Sequence, residues 1–98
     1  MIQIIYLWEV PLEKQAAFLA AWEKTTLTIR ETTAGARGSF CVVSVDTPTE
    51  ILTVAKWEEL EQWHDFIKGA KLTSMREMHE LGTQISSKAY VQKGDFTA

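Results

Sequence analysis

The chain has 98 residues, 46% hydrophobic and 23% charged, with a formal net charge of −3 and a sequence pI near 5.3. That length holds one domain, residues 1–98, and the apolar share is that of a folded globule rather than a disordered tail. No run reaches the ~18 apolar residues of a membrane span, the basic residues form no stripe suited to nucleic acid, and the single cysteine, Cys41, excludes an intramolecular disulfide.

Met1 leads directly into Ile2-Gln3-Ile4 with no basic leader, so a cytoplasmic protein is expected. Residues 2–9 are β-branched and aromatic and predict a strand. Both of its faces are apolar: Ile2, Ile4, Tyr6 and Trp8 on one, Ile5 and Leu7 on the other. Pro11 fits the first turn of a helix, where its missing N–H costs nothing. From Leu12 to about Thr32 the period becomes helical, with Phe18, Trp22, Thr25 and Ile29 on one stripe. Residues 34–38 form a loop in which Gly35 and Gly38 permit positive φ. Ser39–Val45 and Glu50–Trp57 read as strands joined by a tight Asp46-Thr47-Pro48-Thr49 turn, hence an antiparallel hairpin. A short helix over about Glu58–Lys68 carries Leu60, Trp63 and Ile67 on one side, with Phe66 adjoining, and Gly69 breaks it. A second, about Ala70–Leu81, stacks Leu72, Met75, Met78 and His79 before Gly82 caps it. Gln84–Gln92 alternates as a last strand, and residues 94–98 are a frayed tail.

The element order β-α-β-β-(αα)-β predicts an α+β, ferredoxin-like split βαβ unit with a four-stranded antiparallel sheet and its helices on one face. Strands 1 to 3 are nevertheless apolar on both faces. An uncovered face would expose about a dozen apolar side chains, roughly 600–1,000 Å², where a soluble monomer tolerates a few hundred. A homodimer packing sheet against sheet is therefore expected.

Val10-Pro11 followed by Phe18 and Trp22, the loop Ala34-Gly35-Ala36-Arg37-Gly38-Ser39-Phe40, and the run Thr53-Val54-Ala55-Lys56-Trp57-Glu58-Glu59-Leu60-Glu61-Gln62-Trp63 resemble the antibiotic biosynthesis monooxygenase family over about residues 2–92. The resemblance implies a dimeric α/β barrel. It also implies, as one activity among several in the family, oxygenation of an electron-rich quinol- or anthrone-like aromatic without a cofactor. Isomerisation of a small keto compound and non-catalytic, stress-associated binding of an aromatic are the alternatives it leaves open. The haem-degrading branch uses an Asn on strand 1, a Trp on the helix after strand 3 and a His ligand on the next helix. Those positions hold Ile5, Phe66 and Arg76, and the chain contains no asparagine, so haem degradation is disfavoured.

His79 shares a helical face with Met75 and Met78, which points it between helix and sheet. It is a candidate base for an acidic phenol or enol, the alternative being a histidine held by the helix dipole in a last turn. Arg76, three residues earlier, is a candidate oxyanion stabiliser or else a partner of Glu80. His64 is a candidate base at the pocket rim or an exposed edge histidine. Arg37 in the glycine loop reaches the pocket mouth or serves solubility. Ile5, Phe18, Trp22, Trp63, Phe66 and Met75 are the candidate substrate-binding walls, since flat apolar surfaces suit a planar ring. Parity alone does not say whether the Tyr6/Trp8 face meets the helices or the partner. Cys41 reads as a small strand hydrophobe, and no spacing suits a metal, flavin or nicotinamide site.

Overall fold

Strand β1, Ile2–Glu9, sits at the centre of the molecule because its β-branched and aromatic side chains find cover on both edges. In the computed structural model, which describes residues 1–69 and 73–98, it pairs antiparallel with β3, Glu50–Trp57, on one side and with β4, Thr83–Val91, on the other. The strand β2, Ala36–Val43, flanks β3. The order β2-β3-β1-β4 is that of the expected ferredoxin-like α+β fold.

The helices lie on one face. Helix α1, Gln15–Thr32, follows a 3-10 turn over Leu12–Lys14. The helix proper thus starts three residues later than its apolar period suggests. Pro11 stands just outside the turn with extended backbone (φ −54°, ψ 144°), and the Lys14 N–H donates to its carbonyl at 2.9 Å. Helix α2, Leu60–Lys68, begins at a capping box: the Glu59 N–H donates to Gln62 Oε1 at 3.0 Å. Helix α3 spans Thr73–Leu81. The expected start of that helix at Ala70, and Leu72 on its stripe, lie outside the described residues.

Both boundaries of β2 shift for local reasons. β2 opens at Ala36, directly after Gly35, because both glycines take positive φ (+86° and +89°). Ala36 faces Trp57 and Ser39 faces Ala55, so one extra residue bulges out around Gly38 and the strand runs on through it. At its far end β2 stops at Val43, where the chain closes the hairpin through Ser44 N–H to Glu50 O at 2.9 Å and Glu50 N–H to Thr47 O at 2.8 Å. Val45, expected within the strand, projects into solvent at 94% exposure.

Register fixes the two faces. Ile4, Tyr6 and Trp8 face Ala55, Thr53 and Ile51, and this set meets the helices. Ile4, Trp8, Ile51, Trp57 and, from α1, Phe18 are buried there. The Trp8 and Phe18 rings meet edge-on with centroids 5.0 Å apart. Gly82 closes α3 against Val10, where an added Cβ would lie 2.7 Å from Val10 Cγ2. The opposite face carries Ile5, Leu7, Leu52, Val54, Phe40, Val42 and Tyr90, and among the described residues no helix covers it. Phe40, Val42 and Tyr90 are each almost half exposed.

Candidate active site

Between the sheet and the helices lies a cavity of about 380 Å³. Its walls follow from the helical stripes and from the strand parity that points helixward. Trp22 comes from α1, Trp63 and Phe66 from α2, Met75 and Met78 from α3, and Trp8 and Trp57 from the sheet. The Trp57 and Phe66 rings lie 5.5 Å apart. An arrangement of flat apolar walls at this volume suits a small planar ring system.

Of the expected wall residues, Trp22, Trp63, Phe66 and Met75 line the cavity together. Phe18 does not: it is fully buried behind Trp8 in the core cluster with Val10 and Ile51. Ile5 pairs with Val54 and Lys88 on the uncovered side of the sheet, because odd positions of β1 point away from the helices. Among the candidate bases, His79 is itself exposed but also lines the cavity, its ring 5.1 Å from the Trp8 ring. His64 is exposed and outside the lining, its ring tilted at 40° to that of Trp63 with centroids 5.3 Å apart. Arg76 is exposed and is not part of the lining. Arg37 pairs with Glu58 on the surface instead of reaching the cavity mouth.

Several polar lining residues were not singled out from sequence. Tyr6, Ser39, Thr53 and Ser87 all face the cavity. Three of the lining indoles donate to hydroxyls. Trp63 Nε1–H donates to the Tyr6 hydroxyl at 3.0 Å, Trp22 Nε1–H to Ser39 Oγ at 3.2 Å, and Trp8 Nε1–H to Thr53 Oγ1 at 3.1 Å. The signal for these residues was present: they occupy one parity of their strands, but that parity became interpretable only once β1 was assigned a helix-facing side. Thr25, itself a lining residue, ties α1 to α3: its hydroxyl donates to Ala21 O at 2.7 Å and accepts from the Ser74 hydroxyl, 2.7 Å away.

Burial pushes the Tyr6 phenol above its ordinary pKa, partly offset by the Trp63 N–H bond, so Tyr6 remains protonated at neutral pH. Burial likewise raises the Cys41 thiol, which makes it a weak nucleophile. Among the described residues, no group of three His, Cys, Asp or Glu side chains could hold a metal ion.

A family model described as antibiotic biosynthesis monooxygenase matches residues 1–79. The chain belongs to that family. Solved relatives share its fold at low identity. SnoaB from Streptomyces nogalater, described as a cofactor-independent oxygenase, superimposes with a TM-score of 0.80 at 11% identity, over 99% of this chain and 97% of that one. Rv0793 from Mycobacterium tuberculosis gives a TM-score of 0.73 at 13% identity, over 98% of each chain. No curated protein matches the sequence. Among the described residues, no helix of this family member is long and apolar enough to cross a membrane.

Proposed function

We propose that this family member is a cofactor-independent monooxygenase of a small electron-rich aromatic, quinol- or anthrone-like, and works as a homodimer. The observation that supports it best is a tryptophan-walled cavity of about 380 Å³ holding one imidazole, that of His79. A cofactor-independent oxygenase needs little more from its protein. The substrate is its own reductant, and the site must orient it, remove one proton and keep water out.

In this reading His79 takes a proton from a ring methylene or its enol tautomer, and the resulting carbanion passes electrons to O₂. In an anthrone a CH₂ group and one O₂ become a carbonyl and one water, and a hydroquinone and one O₂ become a hydroxyquinone and one water, so in both one oxygen atom stays in the product and the other leaves with two hydrogens. Trp22, Trp63 and Phe66 hold the ring plane, and apolar walls flank the carbanion. Arg76 and His64, both outside the cavity lining, have no part in these steps.

Oxygen-electrode measurements with anthrone and a set of hydroquinones, in EDTA and without added flavin, test the proposal. One O₂ consumed per substrate, above the protein-free rate, is expected, and His79→Gln should lower kcat at least ~100-fold, the usual contribution of a general base. Saturable binding with no oxygen uptake would make the protein a binding module, and an isomerised product would make it an isomerase. Either outcome overturns the oxygenase.

A further inference from the structure

The cavity floor has a polarity that its aromatic walls conceal. Tyr6, Thr53 and Ser87 form one register row across β1, β3 and β4, and Ser39 sits on the neighbouring diagonal of β2, opposite Ala55. An indole nitrogen donates and accepts nothing. The Tyr6, Ser39 and Thr53 oxygens therefore act as acceptors toward Trp63, Trp22 and Trp8. Each hydroxyl carries a single proton, and that proton is left to be donated elsewhere. Each tryptophan thus occupies one acceptor site of its hydroxyl and leaves the O–H to meet a molecule in the cavity as a donor. Charge points the same way: the charged or ionisable lining residues other than Tyr6 are Arg30, Lys56 and His79, with no carboxylate among the described ones.

We propose that Tyr6, Thr53 and Ser39 form a donor row that selects ring systems bearing a carbonyl or oxyanion oxygen, with Tyr6 binding the oxygen on which charge accumulates. This rests on the reading of the cavity as an aromatic site and adds the functional group the site recognises. Donors placed before the reaction at the oxygen that becomes negative stabilise the charged state more than the neutral one. Tyr6 suits that role because its buried phenol holds its proton. A plain hydrocarbon of the same shape fills the walls but leaves the donors unanswered.

The test compares 9-fluorenone with fluorene, planar tricycles that differ by one carbonyl, using quenching of tryptophan fluorescence. Wild type should bind fluorenone about tenfold more tightly, the value of one well-placed hydrogen bond. Tyr6→Phe should bring the ratio below about threefold while the fluorene Kd stays within twofold. Tyr6→Phe/Trp63→Phe removes any substitute donation from the released indole, and Ser39→Ala, at a half-buried position, covers the case in which Tyr6 variants fold poorly. The carbonyl stretch of bound fluorenone should lie at lower frequency than in hexane and move back in Tyr6→Phe. Equal affinity for the two probes in wild type, or a ratio unchanged in every variant, overturns the donor row alone. Failure of both probes to bind removes the aromatic site and the donor row together.

Discussion

Tyr6 is where burial, hydrogen bonding and proposed chemistry meet, and its titration has a definite sign. Its phenol is raised above the ordinary value of 10.0 by desolvation. A group whose folded pKa exceeds its unfolded one contributes fully below the unfolded value and loses that contribution as pH climbs through the folded one. Unfolding free energy from urea titrations should therefore decline above about pH 10, and Tyr6→Phe should flatten that decline; a wild-type slope that persists unchanged in the variant would exclude Tyr6 as its source. Gly35 makes a different demand. Its φ of +86° lies in the left-handed region, and an added Cβ would fall 1.8 Å from Gln62 Oε1, the atom that caps α2. Gly35→Ala should cost about 1–3 kcal/mol through backbone strain and loss of that cap. Thermal unfolding within about 1 °C of wild type would show that the loop relaxes freely.

At the level of elements, the link between α1 and α3 is polar where most helix contacts are apolar. Thr25 and Ser74 are both buried and share a 2.7 Å bond. Thr25→Val should cost about 1–3 kcal/mol because it leaves the Ser74 hydroxyl buried without its partner. Adding Ser74→Ala should recover part of that loss, and a strictly additive double-mutant cycle would mean the two hydroxyls act independently. The same elements show how far the sequence could be read. The α1 stripe through Phe18, Trp22, Thr25 and Ile29 was legible because a helix facing a sheet repeats its buried positions, and Phe18, Ala21 and Thr25 are its buried residues. Which stripe residues line empty space and which are packed solid was not legible, because periodicity gives direction and no depth. Phe18 meets Trp8 and Val10, while Trp22 one turn on reaches the cavity. In β1 the obstacle was symmetry. With Ile4, Tyr6 and Trp8 as apolar as Ile5 and Leu7, alternation could not say which row met the helices, and Ile5 was expected on the wrong side. Gly38 hid the start of β2 in the same way, since a bulge glycine looks like a loop until its register is known.

Across the whole molecule, the uncovered face of the sheet is the feature one chain cannot resolve. Phe40, Val42 and Tyr90 lie on that face at 46–48% exposure, around a strip of Ile5, Leu7, Leu52 and Val54. Burying roughly 600–1,000 Å² per subunit would contribute about 15–25 kcal/mol gross before association costs. It would also match the roughly 800 Å² per partner of a stable interface. Sheet-to-sheet packing of two copies leaves the helical side, and so the cavity, untouched. Sedimentation equilibrium at micromolar concentration should therefore give about 22 kDa, twice the 11.1 kDa of one chain, and the melting temperature should rise with concentration. Val42→Lys places a charge in the middle of the proposed contact, at a position already half exposed in the single chain. It should shift the species toward 11 kDa and abolish the concentration dependence without unfolding the subunit, because Val42 is not part of the helix-side core cluster. A stable dimer that tolerates Val42→Lys would place the subunit contact elsewhere, and a folded wild-type monomer would leave the apolar face unexplained. Loss of oxygen uptake in a Val42→Lys monomer that still binds 9-fluorenone would show that the dimer is needed for the chemistry rather than for the pocket.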